Sequence, residues 1–120
     1  MNLTYRKGNY RKLQFNALNK TTEMIITNGM LVLDKATLSN CKHNDIVIHL
    51  SYQEENNIKT VTKPLSQFTT TPTRTGYHVD FMKNVTVSCW LNITEPTRLK
   101  IDITGMSGGK VDLDVFVIRI

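Results

Sequence analysis

No apolar run in this chain approaches the roughly 18 residues that a membrane-spanning helix requires, and the segment after Met1 is polar and basic throughout. Neither a membrane span nor a secretion signal is therefore expected. Cysteine is scarce. Cys41 and Cys89 are the only two, and without an export route they are expected as reduced, buried thiols rather than as a bridge. Nucleotide-binding signatures are missing as well. There is no Walker loop or dinucleotide fingerprint, and the glycine-rich stretch Gly105 to Gly109 leads into another apolar alternation, not into a helix that could hold phosphate.

Catalytic constellations are equally thin. His78 and Asp80 share one strand face without a Ser or Cys in a glycine elbow beside them. Glu54, Glu55 and Glu95 fall in turns, and Asp112 and Asp114 alternate on one strand as solvated acids would; a calcium site there would lack the usual Asp- and Gly-dense loop. Cys41, His43, Asp45 and His49 lie close together, yet their spacing fits neither a zinc ribbon nor a helical two-His site. The expectation is no enzyme, no metal and no cofactor.

What the sequence does have is an uneven placement of charge. Residues 1–20 hold Arg6, Lys7, Arg11, Lys12 and Lys20 with no acid, whereas residues 21–120 hold ten basic and ten acidic side chains. All of the net +5 thus belongs to the N-terminal sixth. The division expected from this is a basic N-terminal arm or hairpin over 1–20 and a single domain over 21–120.

Through the rest of the chain, apolar residues recur at every second position, the period of a half-buried strand. Asn28-Gly29 between two apolar runs predicts a tight hairpin, with Met24, Ile26, Leu31 and Leu33 on one face and Ile25 and Val32 covered on the other. Lys35 to Asn44 reads as irregular. Ile46 to Tyr52 and Ile58 to Thr62 form a second hairpin around Glu54 to Asn57, and Tyr77 to Phe81 with Val85 to Ile93 a third. Leu99, Ile101 and Ile103 precede the glycine-rich turn, and Val111, Leu113, Val115 and Val117 follow it. About eight or nine strands built from consecutive hairpins predict an all-β fold, an antiparallel β-sandwich or jelly roll.

Candidate binding residues fall in three places. The doubled triplet Tyr5-Arg6-Lys7 and Tyr10-Arg11-Lys12 flanks Gly8-Asn9, a sequence suited to a primed turn that would set Tyr5, Lys7, Tyr10 and Lys12 on one face. Interleaved rings and cations suit phosphates, bases or sugars. An edge hairpin guarded by lysine is the plainer account, and an arm pairing along a neighbour's edge strand is the third. At the C-terminus, Phe116, Ile118 and Ile120 make the second strand face apolar, either as core or as subunit contacts. Finally, residues 64–76 combine two prolines, a glycine and many hydroxyls. They read as a long exposed loop whose Gln67, Phe68, Thr71 and Arg74 could form a ligand site, with Trp90 as a packing or sugar-stacking residue.

With its small hairpins, basic N-terminal segment and apolar last strand, the chain resembles small all-β accessory proteins of virus particles, of the phage decoration, head-fibre or tail-component kind. That resemblance implies a structural module in the virion, assembled in the host cytoplasm, whose partners are copies of itself and neighbouring structural proteins. Glycan binding is the alternative. Single-stranded nucleic acid is less expected, because the domain after residue 20 is electrically balanced and offers no continuing basic groove.

Overall fold

The computed structural model describes residues 10–26, 29–83, 90–93 and 95–118. Within them lie ten strands: β1 (Tyr10–Asn16), β2 (Thr21–Ile26), β3 (Gly29–Ser39), β4 (Val47–Glu54), β5 (Asn57–Pro64), β6 (Thr70–Pro72), β7 (Gly76–Asp80), β8 (Trp90–Ile93), β9 (Thr97–Thr104) and β10 (Lys110–Ile118). They form two antiparallel sheets. The larger has six strands in the order β1-β10-β3-β7-β6, with β8 beside the other end of β3, and the smaller has four in the order β2-β9-β4-β5. The all-β sandwich is as the alternation predicts.

The strands do not, however, follow one another as consecutive hairpins. Among the described residues, only β4–β5 and β6–β7 join neighbours in sequence that also pair. Apart from β7 and β8, which both lie in the large sheet, the other consecutive strands fall in opposite sheets, and the pairs nest around the turn after Glu54: β4 with β5, β3 with β7, β2 with β9, β1 with β10. Two further pairings, β10 with β3 and β4 with β9, complete the sheets.

Three local expectations are corrected by this arrangement. β2 and β3 are not a hairpin, since β2 pairs with β9 in the small sheet and β3 with β10, β7 and β8 in the large one. Gly29 is required for another reason. Its φ is +144°, and a Cβ there would sit 2.6 Å from the Ile118 carbonyl oxygen, so the glycine lets β3 approach β10. Thr27 and Asn28 lie outside the described residues. Among the described residues β7 and β8 do not pair with each other either; both flank β3, at Lys35–Ser39 and Gly29–Val32 respectively, and residues 84–89, which hold the turn end of the expected third hairpin, lie outside the description. Residues 35–39, expected to be irregular, continue β3. The register steps from Asp114↔Lys35 to Val115↔Leu33, leaving Asp34 as the extra residue of a bulge. That single insertion moves the inward positions from Leu31 and Leu33 to Ala36 and Leu38, all four buried.

The described part of residues 1–20 belongs to the sandwich and not to a separate arm. β1 pairs along its length with β10, and Phe15 is only 1% exposed in the shared core. Between the sheets, Ile48, Leu50, Leu99, Ile101 and Ile103 of the small sheet meet Leu31, Leu38, Val79, Val111 and Leu113 of the large one. Period-two alternation, shifted by one residue at the β3 bulge, places all of these inward, and their burial drives the fold. A second, smaller cluster of Val32, Phe116 and Ile118 carries Tyr10 and Met30 at its margin. Val32 is buried as expected, but Ile25 is 63% exposed, since none of the described residues covers the outer face of the small sheet there.

Two turn positions make opposite predictions. Gly105 has φ +88°, and a Cβ would lie 1.7 Å from the Asp45 carbonyl oxygen. Gly105→Ala should therefore cost at least about 2–3 kcal/mol, read from the midpoint of urea unfolding. Glu55 holds φ 57° without being glycine, so Glu55→Gly should stabilise by about 0.5–1 kcal/mol in the same measurement.

Candidate functional site

Of the candidate attachment residues, Tyr5, Arg6, Lys7 and Ile120 lie outside the described residues, and the proposed turn at Gly8-Asn9 lies there with them. Tyr10, Arg11 and Lys12 open β1, an edge strand whose described partner is β10 alone. Tyr10 is half-buried against the smaller apolar cluster, while Arg11 and Lys12 are exposed. Phe116 and Ile118, expected either as core or as subunit contacts, are 4% and 8% exposed within the chain itself. Their side chains are committed to Val32, because the register sets Phe116 directly opposite it.

The expected ligand loop is likewise reorganised. Leu65 is fully buried, and its N–H donates to the Ile46 carbonyl at 2.9 Å, pinning residues 65–67 to the sandwich. Phe68 is 5% exposed and meets Phe81 edge to face, with centroids 4.8 Å apart and planes at 83°. It is a core residue, so no aromatic platform is offered at that position. Gln67, Thr71 and Arg74 are exposed but stand on different elements: Gln67 in the single turn after β5, Thr71 on edge strand β6, Arg74 in the β6–β7 turn. Trp90 begins β8 opposite Val32, and its side chain lies outside the description.

Polar groups gather on the outer face of the large sheet. Across neighbouring strands the register lines up Lys12, Asp114, Lys35 and Asp80, and beside them Gln14, Asp112, Thr37, His78 and Thr71. Signs alternate along the first row, so each carboxylate has a cationic neighbour one strand away. Asp112 and Asp114 each keep one buried oxygen without a hydrogen bond. Among the described residues no three acidic, His or Cys side chains converge on a cation position. Asp34, at the bulge, has its carboxyl pushed above the ordinary 3.8 by burial first, with Asp80 and Asp114 adding to the rise and Lys35 and His78 opposing it.

The remaining candidate metal residues separate. His49 stands on the outer face of the small sheet, its Nε2 2.9 Å from the Thr104 hydroxyl. Cys41 is a free, half-buried thiol whose Sγ lies 3.6 Å from the Lys110 carbonyl oxygen. Its pKa is raised by burial, against a backbone hydrogen bond from Ser39 that lowers it. Cys89 lies outside the described residues.

One concavity among the described residues falls where no loop motif pointed. It is an open groove of about 510 Å³ over the small sheet's outer face, running from Glu23 and Lys100 past Ser51 and Arg98 to the turns at Glu55 and Glu95. Only one sequence signal marks it: Ile58 in its lining, and Ile25 beside Arg98 on the same face, are apolar at positions that face outward. Comparison with known proteins finds no family model that matches the chain and no curated protein similar to it.

Phe68→Ala should cost about 3 kcal/mol or more of unfolding free energy, while Gln67→Ala and Arg74→Ala stay within about 0.5 kcal/mol. Because the folded Asp34 binds its proton more tightly than the unfolded chain does, native stability falls as pH rises from about 3.8 through the raised value. Asp34→Asn should remove that fall, so the variant gains on the parent toward neutral pH and matches it in acid. Urea midpoints measured across pH test this.

Proposed function

We propose that the protein is a non-enzymatic structural or assembly module of jelly-roll type, an accessory component of a virus particle that attaches to copies of itself and to neighbouring structural subunits. The observation that supports this reading is the nesting of strand pairs around the β4–β5 turn, with β1-β10-β3-β7 in one sheet and β2-β9-β4-β5 in the other. A long antiparallel hairpin rolled up so that successive pairs fall in alternate sheets produces that order, and rolled sandwiches of this kind recur in capsid and lectin domains.

Edge strands supply the means of attachment. β1 carries Arg11 and Lys12 and no acid, and it follows the basic N-terminal segment directly. β2, the edge of the other sheet, carries Glu23 and no Lys, Arg or Pro. Two β1 edges repel each other, whereas a β1 edge beside a β2 edge of a second copy brings opposite charges together. Such head-to-tail pairing joins unlike surfaces and closes into rings or continues into chains. Nucleic acid fits less well, because Lys12 and Lys35 alternate with Asp114 and Asp80 and leave no continuous basic track.

Light scattering behind a sizing column, from micromolar to millimolar protein, tests the reading. Oligomers that grow with concentration are expected, weakened at least about tenfold by either the Arg11→Glu/Lys12→Glu pair or Glu23→Lys, and recovered when the charges are exchanged together. A parent chain that stays monomeric throughout would overturn it.

A further inference from the structure

We infer that the groove on the outer face of the four-stranded sheet is a binding site for a neutral oligosaccharide, a role that goes beyond assembly and uses none of the β1 residues. The inference rests on the chemistry that the register brings together. Glu23, Lys100, Ser51 and Thr60 lie in one row across the four strands, and the next row pairs Ile25 with Arg98 and Gln53 with Ile58. Carboxylate, amide, guanidinium and hydroxyl groups thus alternate with two exposed apolar side chains on a single surface.

The Ser51 and Thr60 hydroxyls meet each other at 3.2 Å, whereas the charged and apolar groups have unused capacity. The Glu23–Arg98 pair spans 3.9 Å with both side chains more than half exposed, too far for a hydrogen bond, so the guanidinium fork and the carboxylate oxygens remain open to a ligand. Ile58, in the lining, is 78% exposed, and Ile25, beside Arg98 on the same face, 63%. At about 510 Å³ the groove is the size of an ordinary small-ligand site.

Sign and shape choose the ligand. Glu23, Glu55 and Glu95 face Arg98 and Lys100 across the groove, so neither a phosphate nor a polycation meets a favourable field. An extended peptide gains its affinity by adding to a sheet edge, and this groove lies across a sheet face whose backbone groups are already paired. A pyranose chain matches what remains. Its vicinal hydroxyls both donate and accept, as the Arg98, Gln53 and Glu23 side chains require, and its C–H faces rest on Ile58 and Pro96 without a charge to satisfy.

Heteronuclear NMR titration of the full chain with maltoheptaose, cellohexaose and chitotetraose, guided by an array of neutral and acidic glycans, tests the site. At least one neutral oligosaccharide should shift the Ser51, Gln53, Ile58 and Arg98 amides. Its affinity should drop at least about tenfold in Arg98→Ala and in Gln53→Ala, whose thermal unfolding matches the parent, and change little with added salt. A silent array with no shifts at the groove overturns the site, as does binding that survives both substitutions or that requires an acidic glycan. The Arg11→Glu/Lys12→Glu variant, altered only at the β1 edge, should bind like the parent.

Discussion

The whole architecture depends on the antiparallel pairing of the last strand with the first and the third. β10 stands between β1 and β3, so the large sheet has no continuous middle until the C-terminal segment is in place. Its inward residues Val111, Leu113 and Val115 are fully buried against both sheets. A nested set of pairs places the shortest loop, at Glu55 and Asn56, innermost, and each pair outside it joins residues farther apart in sequence. Closing such loops costs entropy before the core returns any free energy, which puts this topology among the slower folders of its size.

Alternation made the inward faces legible. Ile48 and Leu50, then Leu99, Ile101 and Ile103, then Val111, Leu113 and Val115 occupy the positions their period dictates. It could not reveal partners, because a strand that turns back on its neighbour and one that crosses to the opposite sheet carry the same pattern. Met24, Ile26, Leu31 and Leu33 do share one interior, yet they reach it from two sheets facing each other. The stretch after Asp34 was illegible for a different reason. A one-residue bulge changes which parity faces inward, and a polar Lys-Ala-Thr-Leu-Ser segment then looks irregular although it continues the strand.

The candidate site was less legible than the fold. Motif reading favours loops, where hydroxyls, prolines and aromatics cluster, but Leu65 and Phe68 show such a segment tied into the core by its apolar residues. A flat binding face has no local signature, since its members come from four strands and meet only through register. Glu23 and Lys100 are far apart in sequence and adjacent in the sheet. What the sequence does contain is a pair of isoleucines at outward positions, which an alternation rule treats as exceptions and solvent does not favour.

The two outer faces differ in how much they leave for a partner. On the large sheet, rows of alternating sign neutralise each other, and Val32, Phe116 and Ile118 are sheltered within the chain. On the small sheet the polar side chains are spaced by open apolar ones, and the long Glu23–Arg98 distance shows charges that have not collapsed onto each other. Edges and faces use different atoms: an edge presents backbone N–H and C=O groups in the plane of the sheet, while a face presents side chains perpendicular to it. β2 belongs to both, standing at the edge of the described sheet in the plane with Glu23 above it. In the proposed assembly a neighbour added along β2 would lie beside the floor of the groove, and Glu23 would be shared between that edge contact and the proposed ligand.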